Sequence, residues 1–389
     1  MFSDRTNWML AQNRFTHALA EARARGIKLL DLSLSNPTRA GLQYDERAIL
    51  GALASTRSMD YDPQPKGLPE ARRVVAAYYR EDHRSLSLDE EQVILTTSTS
   101  EGYSFVFRLL CNAGDELLVP KPSYPLFEFL ADLQDVKLVS YELIYDHGWQ
   151  MDFPSLEKAV TRRTRGVVVV HPNNPTGSYV SEAELGMLNE FCGRHELAII
   201  ADEVFLDYGF GNTARSSFAG NRKVLTFTLS GLSKISALPQ MKVAWVATSG
   251  PAGKTAEALA RLEVIADTYL SMNAPLQWAI PALLAERKNI QQQLRERGQT
   301  NLTEFDRQLA QQTACRRLLV EGGWYAVLRV PVTRSDEELA IALVKEKSVV
   351  AHPGHFYDFP RDGYLIVSLI TPPEEFAAGT EAILEMLSP

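Results

Sequence analysis

The middle of this 389-residue chain alternates short, almost wholly apolar segments with segments of helical periodicity, and this alternation limits the fold more than any other feature. The apolar segments, each four to six residues long, lie at 92–96, 116–119, 165–170, 197–201 and 224–229. Strands without polar alternation must be buried on both faces, as in a mostly parallel sheet that helices cover on each side. The pattern therefore predicts an α/β fold for residues of about 90 to 250.

The flanking segments predict a second, smaller α+β domain. An amphipathic helix over 5–26 and a short strand over 28–33 precede the alternating region, and a long polar helix over 290–313 follows it. Two further strands are predicted at 324–330 and 364–370. We expect three parts: an N-terminal segment that packs with the small domain (1–40), the large domain (41–283) and the small C-terminal domain (284–389).

Composition argues against several classes of partner. The net charge of −8 argues against nucleic acid, and the chain has no apolar run of membrane-spanning length, which predicts no membrane partner. The three cysteines, Cys111, Cys192 and Cys315, have no CxxC or Cys/His spacing, so we expect no metal site. Reduced cysteines are typical of the cytoplasm, which is the predicted location.

Polar residues follow four of the predicted strands, at the edge where an open parallel sheet binds its ligands. The segment TSTSEG (97–102) opens a helix and offers N–H groups suited to a phosphate. Asn174 follows the strand 165–170, and Asp202 ends the strand 197–201. Lys234 lies on a Gly-containing turn after 224–229, where partial desolvation would favour the nucleophilic neutral amine.

Each of these features has a plainer explanation when it is taken alone. They could be a helix cap, an Asn-Pro turn, a capping carboxylate and a solvated loop lysine. Together they match the needs of pyridoxal phosphate. Its phosphate binds a helix N-terminus, its ring nitrogen needs an anion, its phenolic oxygen needs a donor, and its aldehyde needs a lysine.

With these residues the chain resembles the class I/II aminotransferases of pyridoxal phosphate (PLP) fold type I, the aspartate and alanine aminotransferase family. The resemblance covers nearly the whole chain and rests on six motifs in order: YDPQPKGLPEAR (61–72), VPKPSYP (119–125), HPNNPTG (171–177), ADEVF (201–205), SGLSK (230–234) and HPG (352–354). The resemblance implies that Lys234 is the Schiff-base lysine and proton shuttle and that Asp202 pairs with the ring nitrogen. It implies that Asn174 donates to the phenolic oxygen and that Tyr124 stacks on the ring.

The resemblance also implies how the phosphate is held. Thr99 and Ser100 would cradle it, and Tyr61 would reach the phosphate of the neighbouring subunit. The expected assembly is therefore a homodimer with shared active sites. The implied substrates are an amino donor and a 2-oxo acid acceptor.

Three positions depart from the pattern of the family. Phe205 stands where a tyrosine usually bonds to the phenolic oxygen, and Lys242 stands where an arginine usually grips the phosphate. Ile366 in GYLIVSL stands where the family has the arginine that binds the substrate α-carboxylate. Either another group binds that carboxylate or the substrate lacks it.

The candidate substitutes are Asn36, in the SNPT turn, Arg39 and His355. For Arg39 and His355, a solvated loop arginine and a turn histidine are simpler explanations. Because the arginine is missing, a related enzyme of elimination, racemisation or cyclisation stays an alternative to the predicted aminotransferase. A ligand-sensing module of a transcription regulator is a remoter alternative, since no basic domain precedes residue 30.

Overall fold

The computed structural model describes residues 1–82, 88–125, 127–211, 216–270 and 272–387. The strands of this part are β1 Leu30–Asp31, β2 Val93–Thr96, β3 Glu116–Lys121, β4 Lys137–Tyr145, β5 Trp149–Met151, β6 Thr164–Val170, β7 Ala198–Asp202, β8 Thr226–Gly231, β9 Ala244–Ser249, β10 Arg316–Arg317, β11 Tyr325–Arg329, β12 Val349–Val350, β13 His352–Pro353 and β14 Tyr364–Ser368. The α-helices are α1 Arg14–Ala24, α2 Glu46–Ala52, α3 Pro69–Asp82, α4 Thr99–Leu110, α5 Phe127–Asp132, α6 Phe153–Ala159, α7 Glu182–Arg194, α8 Leu232–Ile235, α9 Ala252–Tyr269, α10 Ala274–Ala285, α11 Arg287–Leu309, α12 Asp336–Ala342 and α13 Pro373–Leu387.

Eight strands form the large sheet, in the order β2-β9-β8-β7-β6-β3-β4-β5. The five strands from β8 to β4 are parallel, whereas β9 is antiparallel to both of its neighbours and β5 is antiparallel to β4. Val170, Asp202 and Leu229 lie side by side at the carboxyl ends of β6, β7 and β8. The predicted mostly parallel sheet is therefore confirmed, and its carboxyl edge gathers the segments that follow these strands.

Helices cover both faces of this sheet, and the side chains of β6 show how. Val167 and Val169 pack with residues of α7 on one face, among them Phe191. Val168 and Val170 pack with residues of α4 and α9 on the other face. Because successive side chains of a strand point to opposite faces, an unbroken valine run fits a strand that is buried on both sides.

A second sheet of four antiparallel strands has the order β10-β11-β14-β13. Helix α11 is tied to the end of β14, since the side-chain amide of Asn301 donates to the carbonyl oxygens of Leu369 at 2.9 Å and Thr371 at 2.8 Å. The N-terminal strand β1 pairs with β12, so the N-terminal segment packs with C-terminal elements. The exact division into 1–40, 41–283 and 284–389 stays a prediction.

The boundaries of several predicted elements need correction. The helix predicted over 5–26 begins only at Arg14, because the side chain of Asn13 caps it by accepting a hydrogen bond from the backbone N–H of Thr16 at 2.7 Å. The predicted strand over 28–33 is only β1, and the predicted helix over 290–313 is α11. Among the described residues, no helix combines the length and the apolar character needed to cross a bilayer.

Candidate active site

A cavity of about 320 Å³ lies at the carboxyl edge of the large sheet, between that sheet and the small one. Its volume is at the lower end of the range of about 300–1,000 Å³ that is usual for ligand pockets. It is lined by Ser35, Thr99, Tyr103, Tyr124, Phe127, Val170, Asn174, Asp202, Val204, Phe205, Gly231, Ser233, Lys234, Ala244, Tyr325, His352 and Tyr357. Five of the residues predicted from the sequence are among them: Thr99, Tyr124, Asn174, Asp202 and Lys234.

The backbone around Lys234 is held on several sides. At Gly231, the last residue of β8, a β-carbon would come within 2.7 Å of the carbonyl oxygen of Val243, so the close approach of β9 requires glycine. One turn of helix, α8, follows and carries Lys234. The hydroxyl of Tyr208 donates to the carbonyl oxygen of Lys234 at 2.5 Å, and Gln291 donates to that of Ile235 at 3.0 Å. The lysine therefore projects from a fixed base.

The amine of Lys234 is buried in largely apolar surroundings. Its Nζ lies 4.9 Å from the ring centroid of Trp324 and 5.6 Å from that of Phe205. Burial lowers the pKa of Lys234 to about 8, and the charge of Asp202 partly offsets this effect. With this pKa about a tenth of the molecules hold the neutral, nucleophilic amine at pH 7, a far larger share than for an ordinary lysine.

Burial shifts the pKa of Asp202 in the opposite direction to that of Lys234. Burial raises the pKa of this carboxyl, while its hydrogen bonds and the charge of Lys234 act in the other direction. Its oxygens accept hydrogen bonds from the hydroxyl of Tyr103 at 2.9 Å and from the backbone N–H of Val204 at 3.1 Å. A carboxylate that still has lone pairs directed into a cavity is suited to a cationic N–H group of a ligand.

Asn174 and the start of α4 supply further polar groups to the cavity. Asn174 is buried, and its side-chain oxygen has no hydrogen-bond partner within the described part of the chain. Ser98 caps α4, accepting a hydrogen bond from the backbone N–H of Glu101 at 3.1 Å. The first N–H groups of a helix, here those of Thr99 and Ser100, have no partner inside the helix and attract an anion.

Comparison with known proteins identifies the family. A family model described as aminotransferase class I and II matches residues 28–382. The chain belongs to this family. The predicted resemblance, the aminotransferase activity and the cofactor, pyridoxal 5′-phosphate, are thereby confirmed. The cavity contains polar groups of the kinds that this cofactor needs: the side chain of Asn174, the start of α4, Asp202 and Lys234.

Individual relatives agree with the family. The chain is similar to glutamate-pyruvate aminotransferase AlaA of Haemophilus influenzae, with 27% identity over 360 residues that cover 88% of this chain and 87% of the relative. It is similar to alanine aminotransferase of Mycobacterium bovis, with 26% identity over 381 residues that cover 94% and 86% of the two chains. The solved structure of alanine aminotransferase from Pyrococcus furiosus has a TM-score of 0.90 at 22% identity, covering 100% of this chain and 99% of that one. This likeness confirms the predicted fold class, PLP fold type I.

The other predicted site residues of this aminotransferase lie outside the cavity lining. Ser100 is half-buried at the start of α4, and Lys242 is exposed at the end of a short helix. Tyr61 is 81% exposed in the loop before α3. The three candidate carboxylate ligands, Asn36, Arg39 and His355, are exposed.

Two of the departures from the family belong to one apolar cluster. Phe205 and Ile366 pack with Trp324, Tyr325 and other residues, and Ile366 is only 1% exposed. Phe205 lies edge-on to Trp324, with ring centroids 5.1 Å apart. The residues that replace the tyrosine and the arginine thus lie in one apolar cluster, and its members Phe205, Tyr325 and Tyr357 line the cavity.

Sequence reasoning missed several residues that line the cavity: Ser35, Tyr103, Ser233, Tyr325, His352 and Tyr357. Tyr103 lies one turn after Thr99 on α4, a spacing that puts both residues on one helix face. His352 is the first residue of the HPG motif, two residues before Gly354. Nothing in the sequence distinguishes Tyr325 and Tyr357 from core residues, because buried tyrosines are common in protein cores.

The mutual influence of Lys234 and Asp202 is testable in the apoenzyme. Replacing Asp202 with Asn removes the negative charge that raises the pKa of Lys234, so this pKa should fall below its value of about 8. The rate at which trinitrobenzenesulfonate labels Lys234, located by peptide mapping across a pH series, measures the change. Asp306→Asn is the control, since Asp306 pairs with Arg317 on α11 and β10. An unchanged pKa in Asp202→Asn would show that Asp202 is protonated in the empty site.

Proposed function

We propose that this aminotransferase transfers the amino group of an α-amino acid with a small neutral side chain to a 2-oxo acid, with Lys234 as the catalytic residue. The buried amine of Lys234, with its pKa of about 8 in a cavity that also contains Asp202, is the observation that carries the assignment. A lowered lysine pKa and a partner carboxylate in one enclosed site are typical of catalytic centres.

When bound, pyridoxal phosphate supplies an aldehyde that condenses with amines and a ring that withdraws electrons from the substrate α-carbon. Asp202 would keep a proton on the ring nitrogen, and the side-chain amide of Asn174 would donate to the phenolic oxygen. The first N–H groups of α4 would hold the phosphate, with the hydroxyls of Thr99 and Ser100. Tyr124, which lines the cavity and is 44% exposed, would cover the ring. Nζ of Lys234 carries the proton that leaves the α-carbon.

The charges in the cavity limit the substrate side chain. Within the described residues that line the cavity, Lys234 and His352 are the only ones with basic side chains. A second carboxylate, as in aspartate, would be buried without a partner, which costs several kcal/mol. The name of one relative, alanine aminotransferase, supports alanine as the first donor to test.

We also propose that the enzyme is a homodimer with shared sites, located in the cytoplasm. The exposed side chain of Tyr61 supports the first point, because an aromatic residue with 81% of its surface free is available to a second subunit. Lys242 stays a proposed phosphate ligand. The free thiols of Cys111, Cys192 and Cys315 fit a reducing compartment.

The first prediction concerns Lys234. Lys234→Ala should reduce the transfer from alanine to 2-oxobutyrate, a 2-oxo acid without a second carboxylate, by about 10³-fold or more, because the proton carrier is lost. Borohydride reduction of the parent holoenzyme, followed by peptide mapping, should find the cofactor attached to Lys234. Lys223→Ala, at an exposed lysine, is the control and should keep full activity. Attachment of the reduced cofactor to another lysine contradicts the assignment.

The second prediction concerns the donor. We expect kcat/KM for alanine to exceed that for aspartate by about tenfold or more, since an unpaired buried carboxylate is costly. Asparagine is the matched control, because it has nearly the shape of aspartate without the charge. It should be used better than aspartate. A kcat/KM for aspartate above about 10⁴ M⁻¹s⁻¹, equal to that for alanine, would rule out the proposed donor class.

The third prediction concerns the shared site. Lys234→Ala and Tyr61→Ala homodimers should each have little activity at a cofactor concentration that saturates only the parent. After subunit exchange, half of the dimers are mixed, and each has one site without either change, so about a quarter of the parental activity should return. If each site is built from one subunit, exchange restores nothing.

A further inference from the structure

The small sheet places a histidine beside the position where the family has its carboxylate-binding arginine. His352, on the edge strand β13, is the direct antiparallel partner of Ile366 on β14. On the other side, Val327 of β11 is the direct partner of Ile366. Side chains of directly paired residues point to the same face, with β-carbons about 4.5–5.5 Å apart. His352, Ile366 and Val327 therefore form one row across the sheet.

The face that carries this row is the one that meets the cavity. Tyr325 lies two residues before Val327 on β11, so its side chain is on the same face, and it lines the cavity. His352 lines the cavity as well, at the end of the row, while Ile366 is buried in the apolar cluster. The imidazole is thus one strand away from the position of the missing guanidinium.

Hydrogen bonding leaves one nitrogen of His352 available to a ligand. Nδ1 lies 3.0 Å from the hydroxyl oxygen of Tyr357. Burial raises the pKa of Tyr357 well above its ordinary value, so its hydroxyl keeps its proton and can donate to Nδ1. The proton of a neutral imidazole is then on Nε2, and a protonated imidazole also has a proton there. In the described part of the chain, Nε2 makes no hydrogen bond.

We propose that Nε2–H of His352 binds the substrate α-carboxylate, in place of the arginine that Ile366 replaces. The ligand class is a monocarboxylate that enters the cavity beside the aromatic side chains of Tyr124, Tyr325 and Tyr357. Burial lowers the pKa of His352, and the charge of Asp31 partly offsets this. A carboxylate bound at Nε2 adds a second negative charge and strengthens the imidazolium form.

This inference rests on the proposed amino-acid substrate, but binding can be measured without turnover. Calorimetric titration of the holoenzyme would use 3-phenylpropionate, a carboxylate that suits an aromatic cavity, and 3-phenylpropionamide, which has the same shape and no charge. In His352→Phe the affinity for the acid should fall about tenfold or more, equivalent to about 1.4 kcal/mol, while that for the amide stays within about twofold. His352→Gln, which keeps a donor but cannot be charged, should be intermediate.

Kinetics provide the second measurement. With alanine as donor, His352→Phe should raise KM about tenfold or more and change kcat by less than about threefold, because the lost contact is present in both ground state and transition state. His17→Phe is the matched control, because this histidine is exposed on α1 and does not line the cavity, and it should behave like the parent. The visible absorbance of the bound cofactor verifies that each variant is folded.

Equal losses for acid and amide, or no loss, would overturn the role of His352. If acid binding depends on His352 while no amino acid is transaminated, the inference stands and the proposed function fails. If alanine is transaminated normally by His352→Phe, the inference fails and the proposed function stands.

Discussion

The site depends on the shared burial of one potential cation and one potential anion, Lys234 and Asp202. Burial drives both side chains towards their neutral forms, while the charge of each favours the charged form of the other. The hydrogen bonds from Tyr103 and Val204 offset the free-energy cost of burying the Asp202 carboxylate. No equivalent bond stabilises the ammonium of Lys234 within the described residues. The balance therefore leaves Lys234 easier to deprotonate than an ordinary lysine and the carboxylate able to meet a cationic ring nitrogen. Adjacent parallel strands, β7 and β8, create this closeness, because their carboxyl ends lie side by side.

The apolar cluster that contains Phe205 and Ile366 explains how the site selects its substrate, because its side chains offer no partner to a charged group. Phe205 and Ile366 stand in the same cluster in place of a tyrosine and an arginine. Phe205 lines the cavity, while the small sheet and the segment that follows β13 present Tyr325, His352 and Tyr357 to it. Such a surface contains no cation that could pair with a second carboxylate. Specificity therefore arises from the binding free energy that is lost when this charge stays unpaired. Discrimination against aspartate therefore needs no repulsive group.

Sequence alone predicted the parts of the site that follow strands directly. Asn174, Asp202 and Lys234 come within a few residues of β6, β7 and β8, and parallel strands bring such residues to one edge whatever the loops do. The residues from the small sheet could not be located in this way, because their approach to the cavity depends on how two sheets pack. His352 was passed over for His355 in the same motif. Only the register with Ile366 shows which histidine shares the face of Tyr325, since a shift of one residue would reverse the orientation.

Exchanging a guanidinium for an imidazole changes more than the strength of one contact. An arginine at position 366 would be permanently charged and would add a positive field to a cavity that already contains Lys234. A like charge lowers the pKa of a neighbouring amine, whereas in this chain burial and Asp202 are the two causes that act on Lys234. Because burial also lowers the pKa of His352, the imidazole adds little positive charge until a carboxylate arrives. A carboxylate bound at Nε2 would strengthen the imidazolium form, while burial and Asp202 act on the pKa of Lys234 in the absence of substrate.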